Sequence, residues 1–296
     1  METLPTRKKE PSLAFGGQAL IEGVMMRSGS NMVICVRQPN DCIVTHNEEI
    51  RSLVKKHRVL GLPFLRGIIL LFETMYYGMK GIFFSANVAM EEEEEEFTWK
   101  EYLLIIVMVF AMSGFFVTVP FLLSTYLKLT GLLFNVVEST SRLTLFILYL
   151  YLVSRWGEFR RVLQYHGAEH KAINAYEAGA PLDPESVSKY SRLNPRCGTS
   201  FLFIVVIMSI AMFSLIPRAG FLMRLAYRML LIPVIGAASY ELLKLSDRHR
   251  DSGIMKIIIT PGLAFQRLTT KEPDRDMIEV AVKALEEVIR LNVPEG

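Results

Sequence analysis

Two histidines stand four residues apart, with a glutamate directly before the second, in the stretch YHGAEHKAINAYEAG: His166-Gly167-Ala168-Glu169-His170. On a helix, positions i and i+4 lie one turn above each other on the same face. Two imidazoles so placed can grip one divalent metal, and Glu169 is then close enough to act as base for an activated water. The order H-x-x-E-H is that of the inverted zinc-protease motif. A five-residue string is short, and the competing reading is a pair of histidines that hydrogen-bond loop or headgroup atoms at a membrane surface. Cys197, in RLNPRCGTSF, offers a thiolate as third ligand, and a Cys-His-His set with one open position is a catalytic zinc arrangement. Its other reading is a small packed residue in a turn bent by Gly198. Glu177, two helical turns after His170, and Glu241, in a later apolar segment, compete for the same place. Nitrogen and sulfur donors favour zinc over magnesium or calcium.

A second constellation is FGGQALIEGVMMRSG, residues 15–29. Gly16, Gly17 and Gly23 permit tight turns or close approach of another backbone. Gln18, Glu22 and Arg27 are the polar residues of an otherwise apolar piece, and Glu22 is a further carboxylate for the histidine cluster. No Gly-Lys-Ser/Thr follows, so this is not a phosphate loop. Asn174 and Arg196 complete the residues expected to line the site.

Such residues need elements to hold them. Half the chain is apolar, 51%, with mean hydropathy +0.30, yet 21% is charged. The two facts agree because the classes are segregated along the chain. Residues 102–126 carry no charge, enough to cross a hydrocarbon core that takes about 20 helical residues. Residues 132–153, 201–216 and roughly 225–243 are read as three further spans, giving a mainly α, polytopic membrane protein with four crossings. Glu138 and Arg142, four apart near the start of the second span, can pair on one face. Residues 59–90 are apolar but interrupted by Arg66, Glu73 and Lys80 at intervals of seven, a single helical stripe. That pattern suits an amphipathic interfacial or re-entrant helix rather than a span. An acidic linker follows over 91–100.

The spans divide the rest. Residues 1–58 form an N-terminal region with strand signals, MVICV and CIVTH flanking the turn RQPND. Spans one and two occupy 101–153, and the loop 154–200 carries the histidines and Cys197. A helix is expected there from about Trp156 through Tyr176, stopped by Gly179-Ala180-Pro181. Spans three and four occupy 201–244. The tail, 245–296, ends in an amphipathic helix marked by Ile278, Val282, Leu285 and Ile289. Basic residues concentrate in the 154–200 loop and after the last span, which puts both termini and the site on the cytosolic side of the cell membrane. Three sparse cysteines agree with a reducing compartment. The basic N-terminus has no apolar run behind it and does not read as a signal peptide. A net charge of +3 gives no field for nucleic acid, so the bilayer is the expected partner. Nothing in the sequence sets an oligomeric state.

Four motifs in order, GGQALIEGVMMR, YHGAEHKAINAYE, NPRCGTSF and PGLAFQRLTTKEPD, resemble the YqhQ-like family of bacterial multipass membrane proteins of unknown function, described as a predicted metal-dependent enzyme. The resemblance runs from about Phe15 to Ile289. It implies the same architecture and supplies no substrate. The expected function is a metal-dependent hydrolase at the cytosolic membrane surface, because an open zinc position chiefly activates water; its substrate is left open between a membrane peptide, a lipid headgroup and neither. The alternative is a non-catalytic assembly factor, scaffold or transporter subunit.

Overall fold

The computed structural model describes residues 15–90, 99–195, 197–216, 219–248 and 253–292. The acidic run at 91–96 and Arg196 lie outside them.

The N-terminal strands form an antiparallel meander of order β1-β2-β3-β4: β1 (Phe15–Leu20), β2 (Gly23–Ser28), β3 (Asn31–Arg37) and β4 (Ile43–Glu49). Its first hairpin turns at Glu22, with φ +49°, and register pairs Gly16 with Arg27 and Gly17 with Met26. The second constellation is therefore a hairpin, with β1 on the sheet edge. Strands β2 and β3 are apolar on both faces because both are covered. Val24, Met26, Val33 and Cys35 face one core, and Met25, Met32, Ile34 and Val36 face another. A short turn of helix, α1 (Leu53–Lys56), leads to α2 (Leu65–Met90), which packs Tyr77, Ile82 and Val88 on the second face.

Helix α2 is unbroken over 26 residues, and its charged stripe is partnered throughout. Arg66 pairs with Glu241, Glu73 accepts from Ser52 Oγ and the Leu53 N–H, and Lys80 meets Glu48 at 2.7 Å.

The apolar helices are α3 (Trp99–Tyr126), α4 (Gly131–Val153), α7 (Thr199–Ser214) and α8 (Phe221–Arg248). Three contain stretches long and apolar enough to cross a membrane: Ile106–Tyr126, Leu133–Val153 and Phe221–Leu245. The expected third span is shorter than its sequence suggested. Apolar Phe201–Ser214 falls short of the roughly 30 Å that a crossing helix covers at about 1.5 Å per residue. Among these helices Glu138 and Arg142 do pair, at 2.6 Å, and Arg228 of α8 joins them at 2.5 Å. All three are nearly sealed, at 3%, 4% and 1% exposure.

Between α4 and α7 lie α5 (Gly157–Glu177) and the short α6 (Pro184–Ser188); α9 (Gly253–Thr269) and α10 (Arg275–Asn292) close the chain. Helix α5 ends where Gly179 takes φ +71°. The apolar stripe of α10, with Ile278 and Leu285 buried, covers the first sheet face together with Tyr165, Ala168 and Ala172 of α5. The sheet thus lies between α2 on one side and α5 with α10 on the other.

Candidate metal centre

The letters of the histidine stretch divide by helical face. Tyr165, Ala168, Ala172 and Ala175 go into the core with the sheet. His166 and His170 project one turn apart, ring centroids 4.4 Å from each other. Each ring is oriented by a backbone carbonyl: Nδ1 of His166 donates to Thr269 O at 2.8 Å, and Nδ1 of His170 to Arg192 O at 2.6 Å. A carbonyl only accepts, so the proton sits on Nδ1 and the lone pair on Nε2 in both rings. Nε2 of His166 is 3.2 Å from Cys197 Sγ. One ligand atom from each of the three residues lies within 4.8 Å of the others. Zinc–nitrogen and zinc–sulfur bonds of about 2.0–2.3 Å put tetrahedral ligand atoms roughly 3.3–3.8 Å apart, so a small closure would complete the set. Nε2 of His170 is buried without a hydrogen-bond partner, and so is Oε2 of Glu169. Leaving such atoms unmade is costly, and a cation beside them would satisfy both.

Glu169 is buried on the strand side of the helix. A Cβ at Gly17 would lie 2.5 Å from its carboxyl carbon, so only glycine lets β1 rest on this carboxylate. Burial pushes the Glu169 carboxyl up to about 7, against the opposing pull of His166.

The loop carrying Arg192 and Cys197 is gripped from two sides. From α5, Lys171 donates to Ser188 O and Tyr190 O and pairs with Glu272 at 2.5 Å, and Asn174 donates to Ser191 O and Leu193 O. From α9, the Gln266 amide makes a two-way bond with the Asn194 backbone, at 2.9 and 2.7 Å, and Thr270 meets the Arg192 guanidinium. Gln266, Thr269 and Thr270 were not picked out by sequence as part of the site, nor were Arg192 and Lys171. Their spacing i, i+3, i+4 in PGLAFQRLTT, polar positions on one face of an apolar helix, was the available signal.

Gly167 explains a further letter. A Cβ there would overlap the Lys271 carbonyl oxygen, and the Lys271 N–H already donates to Leu163 O at 2.8 Å. The segment between α9 and α10 therefore lies directly on α5 and sets Thr269 O against His166. Gly167→Ala is expected to push this segment away, costing about 1–3 kcal/mol of stability. Thermal unfolding of the detergent-solubilised variant checks this, and an unchanged midpoint would contradict the contact.

A cavity of about 260 Å³ opens beside the cluster, lined among others by Gln18, Arg27, Glu169, His170, Asn194 and Cys197. Gln18 also donates to Gly78 O, at 3.3 Å. Three expected carboxylates sit elsewhere. Glu22 is drawn off by Arg161, at 2.5 and 2.6 Å, and by Tyr165 Oη at 3.2 Å. Glu241 is taken by Arg66. Glu177 is exposed at the C-terminal residue of α5, two turns beyond His170.

Arg161 holds the Glu22 carboxyl below its usual value of 4.5. A depressed folded-state pKa stabilises the protein above the ordinary glutamate range and ceases to as pH falls through the lowered value. Glu22→Gln should cost about 1 kcal/mol near pH 7, since the pair is part-exposed. That difference should vanish in acid, as read from unfolding midpoints across pH.

Residues 62–291 match a family described as "Protein of unknown function (DUF1385)". The chain belongs to this family. A relative named "Uncharacterized protein YqhQ", from Bacillus subtilis (strain 168), is 35% identical over 304 aligned positions, covering 94% of this chain and 93% of the relative. The resemblance drawn from the four motifs is thereby borne out. No solved structure matches the chain. The stretch matched to DUF1385 contains His166, His170, Cys197 and the α9 residues that orient them.

Proposed function

We propose that this protein is a membrane-embedded, metal-dependent hydrolase whose zinc is held by His166, His170 and Cys197. The observation that carries the reading is the convergence of two Nε2 lone pairs and a sulfur, each ring held by a carbonyl on its far nitrogen, with His170 Nε2 otherwise orphaned. The donor set fits zinc. Zinc bound there supplies Lewis acidity toward water and toward a substrate carbonyl or phosphoryl oxygen. Glu169 accepts the proton of the attacking water, and its burial on Gly17 keeps it from turning to solvent. The Arg192 and Thr269 carbonyls fix the two rings.

In this reading α3, α4 and α8 cross the bilayer, α7 makes a shorter fourth crossing, and both termini are cytosolic. Arg155, Arg160, Arg161, Lys171 and Arg192, all between α4 and α7, support that side by their charge. Metal analysis of purified protein tests the function: about one zinc per chain is expected. Glu169→Gln should keep the zinc, because the amide leaves the ligands in place, and should lose hydrolysis, because it accepts no proton. A wild-type chain that binds no zinc would return the protein to a scaffold, assembly factor or transporter subunit.

A further inference from the structure

We infer that the open edge of β1 is the seat of an extended peptide, and that Arg27 receives the peptide's C-terminal carboxylate. This rests on the hydrolase reading and gives its substrate class. Among the described residues, β1 is one of the two edge strands of the sheet, the other being β4. Among the described residues, its backbone from Phe15 to Leu20 is hydrogen-bonded only to β2. An edge of alternating N–H and C=O groups is complemented by another extended chain, and a lipid headgroup offers no such ladder. Gly17, itself exposed, lets the face of β1 lie directly on Glu169, and Gly16 leaves the opposite face open to Arg27.

Arg27 lies one strand in, paired in register with Gly16, and its side chain crosses the strand where Gly16 has none: a Cβ there would meet Arg27 Nε at 3.4 Å. It lines the same cavity as His170 and Cys197. Among the described residues its guanidinium makes no hydrogen bond or ion-pair contact. Glu73, whose charge it feels, is engaged by Ser52 and Leu53. A planar cation in a part-apolar cavity suits a carboxylate. The cavity, near 260 Å³, is small for a binding pocket, which fits a chain end better than a mid-chain segment. Hydrolysis there is a carboxypeptidase step. The oxygen of water bonds to the carbonyl carbon, the C–N bond breaks, and the departing amine takes a proton. The products are a shortened chain with a new carboxylate and one small amino-acid fragment.

The test uses the full chain in detergent and a short apolar peptide, fluorescently labelled at its N-terminus, as free acid and as C-terminal amide. Wild type should bind the acid about tenfold more tightly than the amide, a preference set by the charge-assisted bond. Arg27→Gln should erase the preference with its zinc content unchanged, and Arg27→Lys should keep part of it. N-methylation of alternate peptide nitrogens should weaken binding to both proteins by removing ladder donors. Equal affinity for acid and amide in a zinc-loaded wild type overturns the inference and leaves the hydrolase reading standing. Arg27-dependent binding of phosphatidic acid vesicles, with no peptide binding, overturns it in favour of a lipid phosphate. Zinc-free wild type that still prefers the acid would sink the hydrolase reading while keeping the peptide seat.

Discussion

Purified His170→Ala protein is expected to carry no zinc after brief exposure to a chelator, where wild type keeps about one ion per chain. Two ligands remain in that variant, His166 and Cys197, and their loss of a third partner should weaken affinity by well over a hundredfold, since each ligand contributes a large part of the binding free energy. His166→Ala should behave alike. It also strands the Thr269 carbonyl that now accepts from the ring. Cys197→Ser divides the two readings of that residue. A ligand thiolate replaced by a poor hydroxyl donor should lower occupancy sharply, whereas a packing residue would leave zinc untouched. Equal zinc in wild type and all three variants would refute the centre as drawn, because no ion bound elsewhere depends on these side chains.

The second large effect lies among the apolar helices. Glu138→Gln removes the only carboxylate that contacts Arg142 and Arg228 among the described residues. The glutamate already faces two guanidinium groups, and Nη1 of Arg228 is buried without a hydrogen-bond partner. The aromatic faces of Phe121 and Phe213 lie 4.4 and 4.6 Å from Arg228 and Arg142, which softens the charge without neutralising it. Taking away the carboxylate leaves two buried cations uncompensated, a cost of about 3–5 kcal/mol. The variant should unfold at markedly lower temperature in detergent, or fail to accumulate. Glu138→Gln with Arg228→Met should recover much of the loss, because the second change removes one of the stranded charges. No recovery would mean that the cluster is not a charge-balanced unit.

Sequence made the outlines of this fold legible wherever the physics is local. The uncharged run at 102–126 became α3, and the strand pair around RQPND became β3 and β4. The i, i+4 spacing placed both histidines on one face of α5, and Gly179 ended that helix as expected. Pairing of Glu138 with Arg142 was readable for the same reason. What could not be read is what depends on partners distant along the chain. Arg228 lies 90 residues from Glu138, and nothing near it announces the contact. Glu22 looked like a ligand because a carboxylate near glycines is unassigned until Arg161, 139 residues away, is seen to hold it. The length of α7 misled for another reason: hydropathy continues through Leu215 and Ile216 after the helix has ended.

The contact between Gly167 and the Lys271 carbonyl carries a consequence for how the protein is made. The candidate centre draws on three stretches of chain: the α5 histidines, the loop with Arg192 and Cys197, and the end of α9 at Thr269. The last of these is synthesised about a hundred residues after the first. While the ribosome is still translating α7 and α8, His166 has no Thr269 carbonyl to fix its tautomer, and the sheet lacks the α10 helix that covers it. The apolar helices α7 and α8 are therefore synthesised before the segment that orients the His166 ring. A nascent chain stalled between residues 197 and 269 would hold both histidines and Cys197 without the α9 end that orients the His166 ring, so the three side chains come into register only in the finished polypeptide.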